Sequence, residues 1–457
     1  MATNELYPEF TPEMKKTHTI LIPNALPVHF SLMGSVFRDA GYKIALLDYA
    51  GQKVIDTGLK YVHNDACYPA IVVIGQLIYA LESGDFDPKT SALMLYQTGG
   101  GCRASNYVHM LRKALKKAGL EYVPVVSVNF GGIEKNSGFD ISPLMFLKGL
   151  ITWLYGDFVM LLRNQVVPYE NNKGDAAAVM EKWRVKLTDQ IRENKGLTMR
   201  TIRQNFRAIA NDFAAVPVTK TAKPKVGIVG ELYVKYADFG NDHLPDFLVS
   251  QGAEVMVPGI LGFAMYSLNI VRENHKLYGD RKGVMFSRAS VWYVERLEKA
   301  MLGVLKDYPQ FEKPIPFPKL KALGEETISS GVCMGEGWLL TAEMSELIEK
   351  GYSNIVCVQP FGCLPNHIVG KGMIRGMTEK YRDANICAID YDPGATRVNQ
   401  QNRIKLMLSI ANERAVPAAD SLRRAVPAAD SLRRAVPAAD SLRGSERRTP
   451  NQQSTRR

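Results

Sequence analysis

Short apolar runs rich in β-branched residues alternate with longer helical patterns along most of this chain. In its first part, the runs at 17–23, 42–47, 91–97 and 122–128 have the length and composition of β-strands. Helical patterns lie between them, and the connections are short. Because this alternation is typical of parallel sheets covered by helices on both faces, it predicts an α/β domain over residues 1–163.

A polar stretch with a helical pattern follows and predicts a helical connector over residues 164–222. After it, the same alternation of strand and helix patterns returns. A second α/β unit is predicted over 223–324 and a third over 325–411, and the proline-rich segment 311–321 is expected to be extended. The strands predicted in these two units are at 225–231, 253–257, 355–358 and 385–390. We therefore predict an α/β protein of tandem Rossmann-like parallel-sheet units with a central helical insertion.

The last segment, 412–457, differs in kind from the rest of the chain. The unit Arg-Ala-Val-Pro-Ala-Ala-Asp-Ser-Leu-Arg occurs three times in succession between Arg414 and Arg443. A proline in every unit blocks a continuous helix, and three such short units bury little apolar surface. We predict a disordered C-terminal tail.

Composition and charge exclude several classes of partner. Residues 412–457 hold ten Arg and five acidic residues, so almost half of the net charge of +11 lies in the tail. No basic run interleaved with aromatic residues occurs elsewhere, so nucleic acid is not an expected partner. No signal peptide is visible, and Lys148 and Asp157 interrupt the apolar segment 144–162, which predicts a buried helix. We expect a cytoplasmic protein without a membrane partner.

The chain contains six cysteines, and none of them forms a C-x-x-C pair. They are Cys67, Cys102, Cys333, Cys357, Cys363 and Cys387. Structural disulfides are not expected in a cytoplasmic protein. Cys357 and Cys387 lie inside predicted strands, where a thiol behaves as a small hydrophobic side chain.

Three cysteines instead lie in loops that directly precede a helical pattern. Cys67 and Cys363 are each followed by a proline two residues later, and Cys102 follows the three glycines 99–101. Because a helix N-terminus lowers the pKa of a thiol, these positions favour thiolate ligands. Turns between strand and helix share one edge of a sheet, so the three thiols can converge on a metal ion or iron–sulfur centre. By spacing alone, this interpretation and a coincidence of position are equally supported.

Two further patterns lie near the three cysteines. Cys333 lies in a loop and could supply a fourth ligand, although an ordinary core or surface thiol is the favoured interpretation. The run Gly99-x-Gly101-x-x-Ala104 follows a strand and opens a helix, as a dinucleotide fingerprint does. The next strand ends without the acidic residue that would bind a ribose. A Rossmann-type nucleotide binder without metal is therefore a third-ranked hypothesis.

Five segments of the chain resemble motifs of the 2-hydroxyacyl-CoA dehydratase D-component superfamily. The similarity is closest to the C-terminal module of large acyl-CoA dehydratase activase-related proteins and extends over about 17–411. The segments are His63-Asn-Asp-Ala-Cys-Tyr-Pro69, Thr98-Gly-Gly-Gly-Cys-Arg-Ala-Ser-Asn-Tyr107, Gly335-Glu-Gly-Trp-Leu-Leu-Thr-Ala-Glu-Met344, Gln359-Pro-Phe-Gly-Cys-Leu-Pro-Asn-His367 and Ile389-Asp-Tyr-Asp-Pro-Gly394.

The resemblance implies Rossmann-like domains around a 4Fe–4S cluster, with Cys67, Cys102 and Cys363 as its ligands. A fourth iron left open would bind the substrate carbonyl or water. In such anaerobic lyases an ATP-hydrolysing activase delivers an electron, and the thioester carbonyl of a 2-hydroxyacyl-CoA becomes a ketyl radical that loses the hydroxyl group. No ATP-binding motif is present in this chain. The activase would therefore be a separate chain, and a homo- or heterodimer is expected.

The resemblance also places several polar residues in the motif loops. Arg103 or His367 could stabilise a ketyl oxygen, and Glu336 could move a proton. The backbone of Gly99, Gly100 and Gly101 and the side chain of Asn366 would lie against the cofactor. For each polar residue, stabilising its own loop is the commoner role. The leading alternative function is a non-catalytic iron–sulfur subunit that relays electrons or serves as a scaffold. The remaining residues singled out in these loops are Asn106, Asn129 and Trp338, the last expected in the core.

Overall fold

The computed structural model describes residues 7–98, 100–128 and 136–415. The described residues up to Ala411 form one compact unit. Of the predicted disordered tail, only the first four positions are described, and they continue the helix Arg397–Ala415 instead of being disordered.

The first sheet contains four parallel strands, as the sequence predicts. Its order is β2-β1-β3-β4, so the chain begins in an inner strand and adds neighbours on both sides. Thr19 of β1 pairs with both Lys43 of β2 and Ser91 of β3. The strands are β1 Thr19–Pro23, β2 Lys43–Leu47, β3 Ser91–Tyr96 and β4 Val125–Val128.

The second sheet repeats this arrangement with order β6-β5-β7-β8, again all parallel. Val226 of β5 pairs with both Val255 of β6 and Asn354 of β7. The two units predicted on either side of residue 324 therefore contribute strands to a single sheet. The strands are β5 Lys225–Gly230, β6 Glu254–Met256, β7 Asn354–Pro360 and β8 Asn385–Tyr391.

Helices cover the sheets and form the predicted insertion between them. The α-helices are α1 Met14–Thr17, α2 Pro27–Asp39, α3 Gln52–Tyr61, α4 Tyr68–Glu82, α5 Tyr107–Lys117, α6 Pro143–Val166, α7 Asp175–Arg192, α8 Met199–Ala214, α9 Leu232–Tyr236, α10 Leu244–Ser250, α11 Ile260–Tyr278, α12 Val284–Leu305, α13 Phe317–Glu325, α14 Leu339–Glu349, α15 Ile374–Lys380 and α16 Arg397–Ala415. A π-helical segment, Asn366–Lys371, precedes α15.

The proline-rich segment is only partly extended, because α13 begins at Phe317 within it. Pro318 occupies the first turn of this helix, where its missing N–H needs no partner, so it starts the helix instead of blocking it. The helical pattern that the sequence shows after Cys363 is also divided, since the π-helical segment comes before α15.

Helix α6 is the buried helix that the sequence predicts. By length and composition, the segment Pro143–Tyr169 could cross a membrane, but 67% of its most apolar window is buried inside the protein. Its charged residue Asp157 accepts hydrogen bonds from the backbone N–H groups of Ile260 and Leu261 at 2.9 and 2.8 Å. His29 Nε2 lies 2.8 Å from the same carboxylate. These contacts anchor α6 to the N-terminus of α11 and to α2.

Candidate functional site

Two of the three loop cysteines occupy equivalent positions in the two sheets. Cys102 comes after β3, the third strand of the first sheet, and Cys363 comes after β7, the third strand of the second sheet. With this strand order, the connections from the first and third strands leave in opposite directions and open a crevice beyond the strand ends. Both thiols therefore lie where a parallel sheet leaves room for a ligand.

Two contacts hold the turn of Cys67 against the turn of Cys102. Cys67 is the N-cap residue of α4, and its Sγ lies 2.8 Å from the hydroxyl of Tyr107. Tyr107 begins α5 immediately after the Cys102 turn. From the same turn, the guanidinium of Arg103 donates a hydrogen bond to the carbonyl of Asp65. The backbone around both thiols is thus fixed before any ligand binds.

A hydrogen-bonded chain connects Cys363 to the end of strand β5. The side-chain amide of Asn366 donates to Cys363 Sγ at 3.4 Å and to Glu336 Oε2 at 2.9 Å. Glu336 Oε1 accepts the backbone N–H of Leu232 at 3.0 Å. Leu232 follows Glu231, which is the first residue after β5. The loops after β5 and β7 are therefore joined through one buried carboxyl group.

Glu231 is the electrostatic neighbour that the three thiols share. Burial is the main reason that the pKa of each thiol is raised, to about 11 for Cys102. The charge of Glu231 raises the pKa of Cys67, Cys102 and Cys363 further. Cys67 and Glu336 act on Cys102 in the same direction. Each of the three cysteines thus lies within range of the charge of one buried carboxyl group, that of Glu231.

The raised pKa values differ from the sequence expectation that helix N-termini would lower them. Hydrogen bonds do lower the pKa of Cys67, through Tyr107, and of Cys363, through Asn366. Burial has the larger effect because it removes the solvation of the thiolate. Thiols in this environment hold their protons until a metal ion replaces them.

The carboxyl groups of Glu231 and Glu336 are both buried. Burial raises the pKa of each, and the charge of Glu336 raises that of Glu231 further. Lys235 lowers both pKa values, but its ammonium is bound to Glu343, with Nζ–Oε distances of 3.0 and 3.1 Å. Two adjacent buried carboxyls do not both ionise readily, so the pair retains a proton where exposed carboxyls have lost theirs.

Glycines allow the loops of this site to interlock. A Cβ added at Gly101 would lie 2.7 Å from Met334 Sδ, and one added at Gly335 would lie 2.8 Å from Pro365 Cγ. Gly335 also has φ of +57°, a conformation that favours glycine. Nothing lies within 4 Å of a Cβ added at Gly100, and Gly99 lies outside the described residues. The Cys102 turn therefore packs on the loop that carries Glu336.

The two basic residues predicted in the site differ in their surroundings. Arg103 lies near Cys67, since its charge lowers the pKa of that thiol. His367 is held by the second sheet instead: its Nδ1 lies 2.9 Å from the carbonyl of Cys363, and its Nε2 lies 3.5 Å from Asp390 Oδ1.

The other residues singled out in the sequence are three further cysteines, one tryptophan and two asparagines. Cys357 is buried in β7, as expected, whereas Cys387 in β8 is only partly buried. Cys333 has Glu273 as its charged neighbour. Trp338 is in the core, with its ring 5.2 Å from that of Tyr266. Asn106 is exposed, and Asn129 lies outside the described residues.

Glu231 and Tyr107 are site residues that the sequence analysis missed. Glu231 directly follows strand β5, but the sequence pattern includes it in the predicted strand 225–231 and so does not mark it as a loop residue. Tyr107 closes the motif that contains Cys102, but a tyrosine at the start of a helix gives no sign that it contacts a cysteine 40 residues earlier.

The thiols do not form a preassembled site for a single ion. Among the residues described, no group of three His, Cys, Asp or Glu side chains is close enough to hold one metal ion. An iron–sulfur cluster places its own iron and sulfide between the thiolates, so its ligands need not meet at one point. Cys67 and Cys363 are buried and Cys102 is partly buried. Cys67 Sγ is hydrogen-bonded to Tyr107 and Cys363 Sγ to Asn366, and such a set of thiols fits a cluster.

The structure is a Rossmann-like α/β protein with two parallel sheets. Cys102 and Cys363 lie in loops that follow strands, whereas Cys67 lies between α3 and α4, not in the turn between strand and helix that the sequence predicts. Comparison with known protein families and with curated proteins finds no matching family model and no matching relative.

Proposed function

We propose that this chain is an iron–sulfur protein of the 2-hydroxyacyl-CoA dehydratase type, with a 4Fe–4S cluster held by Cys67, Cys102 and Cys363. The observation that carries the proposal is that all three cysteines have the buried Glu231 as an electrostatic neighbour. Of the five motifs that resemble the superfamily, three contain these cysteines and a fourth contains Glu336. When bound, the cluster would supply an electron for the reductive removal of water from a 2-hydroxyacyl-CoA.

The side chains around the thiols would tune and orient the cluster. Tyr107 is placed to donate its hydroxyl proton to Cys67 Sγ, and Asn366 donates its amide to Cys363 Sγ. Hydrogen bonds to ligating sulfur reduce its negative charge and raise the reduction potential of a cluster. Arg103 adds a positive charge beside Cys67.

The carboxyl pair would hold the proton that the reaction needs. Glu336 is fixed by Asn366 and by the backbone of Leu232, so its position does not depend on substrate. Burial keeps its pKa and that of Glu231 raised, and a neutral carboxyl can donate a proton at neutral pH. Arg103 and His367 are the proposed partners of the developing oxygen charge.

The proposal includes a separate ATP-hydrolysing activase as electron donor, an acyl-CoA substrate and a cytoplasmic location. It also includes assembly as a homo- or heterodimer. The activase would be a separate chain, because no ATP-binding motif occurs in this sequence.

A second candidate function is a non-catalytic iron–sulfur subunit that relays electrons or acts as a scaffold. One observation favours it: the described part of the chain has a cavity of about 100 Å³ and a smaller one of about 10 Å³, and none of the three cysteines lines either. A relay needs no space for substrate beside its cluster.

An anaerobic assay separates the two functions. The full-length protein with reconstituted cluster, ATP and a purified activase should release water from a 2-hydroxyacyl-CoA, and omission of ATP should abolish the reaction. Glu336→Gln should retain iron but lose turnover. A cluster that the activase reduces without any dehydration would support the relay. A protein that binds NAD and no iron would contradict both functions.

A further inference from the structure

Helices α11 and α12 form a hairpin whose end projects into solvent. Every residue from 276 to 283 is exposed. The turn is nevertheless well defined: Gly279 and Gly283 have φ of +75° and +71°, and the backbone N–H of Lys282 donates to Asp280 Oδ1 at 3.0 Å. Ser287 Oγ donates to the carbonyl of Leu268 at 2.6 Å and ties the two helices together. The hairpin end is therefore an exposed turn with a defined backbone.

Large apolar side chains are exposed on both sides of this turn. Tyr278 is 75% exposed and Met285 is 85% exposed, and Phe286 and Trp292 are 60% and 58% exposed. Leaving such side chains in water forfeits about 1.5–3 kcal/mol for each one that could be buried. Clustered exposed apolar residues of this kind mark an interaction surface.

Basic side chains surround the same apolar residues. Lys276, Arg281, Lys282 and Arg288 are exposed, and none of them forms an ion pair with another described residue. The carboxylate of Asp280, in the same turn, accepts the backbone N–H of Lys282. The hairpin end therefore combines apolar side chains with a local excess of positive charge.

We propose that the end of the α11–α12 hairpin docks on an anionic lipid surface. Met285 and Tyr278 would enter the headgroup region, and the basic side chains would contact lipid phosphates. Phe286 packs on Phe146, with ring centroids 5.6 Å apart, and would stay at the edge of the contact. Tyrosine and tryptophan favour this interface because their rings are apolar and their polar atoms stay hydrated. Clustered Lys and Arg next to apolar side chains are attracted to anionic lipid.

The charge of the hairpin end favours an anionic lipid surface over a second copy of this chain, because two copies of the same face would place like charges together. The sequence alone predicts no membrane partner, because the apolar and basic residues of this face lie on two helices and form no motif. Helix α6 stays in the protein core, so the contact would be peripheral.

Co-sedimentation of the full-length protein with lipid vesicles tests this proposal. Vesicles of equal parts phosphatidylglycerol and phosphatidylcholine should bind the protein, and vesicles of phosphatidylcholine alone should not. The double variant Met285→Ser, Tyr278→Ser should bind at least about tenfold more weakly. The double variant Arg281→Gln, Lys282→Gln should lose about 30-fold in affinity at low salt. Leu406→Ser, which changes an exposed apolar residue of α16, is the matched control and should bind as the unaltered protein does.

Three outcomes would overturn the proposal. Equal binding to neutral and anionic vesicles would show that the basic side chains have no role in the contact. Binding that both double variants retain would place the contact elsewhere on the chain. Absence of vesicle binding, together with a dimer that Met285→Ser, Tyr278→Ser converts to a monomer, would show that this face binds a second copy. Absence of vesicle binding by a monomeric protein would overturn it equally.

Discussion

Asn366 donates a hydrogen bond to Glu336 across 2.9 Å, and both side chains are buried between the loops that follow β5 and β7. The same amide group also reaches Cys363 Sγ. One side chain thus links a proposed cluster ligand to a proposed proton donor, and it fixes both relative to the second sheet.

Asn366→Leu should destabilise the metal-free protein by about 1–3 kcal/mol, because Glu336 Oε2 loses its buried donor. Denaturant unfolding measures this free energy. Asn106→Leu is the control: Asn106 is exposed, so its substitution should change the free energy of unfolding by less than about 0.5 kcal/mol. Equal effects of the two substitutions would contradict the linking role of Asn366.

The buried ion pair of Lys235 and Glu343 should behave as a unit. Glu343→Gln alone leaves a buried ammonium without its counter-charge and should cost about 3–5 kcal/mol of unfolding free energy. The double variant Lys235→Met, Glu343→Leu should be much less destabilised than the two single changes would predict together, as a double-mutant cycle would measure.

A solvent-exposed pair provides the comparison. Glu193→Gln removes the partner of Lys195 in a surface ion pair with a 2.6 Å contact, and it should have little effect on the free energy of unfolding. Additive effects at Lys235 and Glu343 would argue against a coupled pair. Losses of unfolding free energy at Lys235 and Glu343 as small as the loss at the exposed pair would also argue against it.

Glu298 should make stability fall as pH rises. Burial is the main reason that its pKa is raised to about 7, and the nearby Glu295 and Glu346 add to this. Because the folded state holds this proton more tightly than the unfolded state, its stabilising effect is present at low pH. It is lost as pH rises from about 4.5 through 7.

Glu298→Gln tests this pH dependence. The amide oxygen can still accept the backbone N–H of Phe317, so the fold should be kept. Unfolding free energies measured from pH 4.5 to pH 8 should fall less steeply in the variant than in the unaltered protein. Equal slopes would mean that Glu298 ionises normally in the folded state.

The sequence is sufficient to predict the eight strands and the α/β class, because each strand is a short apolar run between breakers. Hydrophobic periodicity does not reveal which strands share a sheet, so the sequence places β6 and β7 in separate units although they belong to one sheet. Pro318 suggests extended chain in the sequence, whereas its place in the first turn of α13 is compatible with a helix.

For the candidate site, the sequence predicts which loops carry the cysteines but not the pKa values of their thiols. Cys102 and Cys363 lie at equivalent strand ends, as the turn pattern suggests. The raised thiol pKa values are not visible in the sequence, because they arise from burial by residues distant along the chain. Glu231 is missed for a different reason: a single glutamate at the end of a predicted strand belongs to no motif.

Anaerobic iron and sulfide analysis of cysteine variants tests the central claim most directly. The reconstituted protein should contain about four iron and four sulfide ions per chain. Cys67→Ser, Cys102→Ser and Cys363→Ser should each lower this content and alter the EPR spectrum of the reduced protein. Cys387→Ser, in a strand of the second sheet, should leave both unchanged. Full iron content and an unaltered spectrum in Cys102→Ser and Cys363→Ser would contradict the proposed cluster.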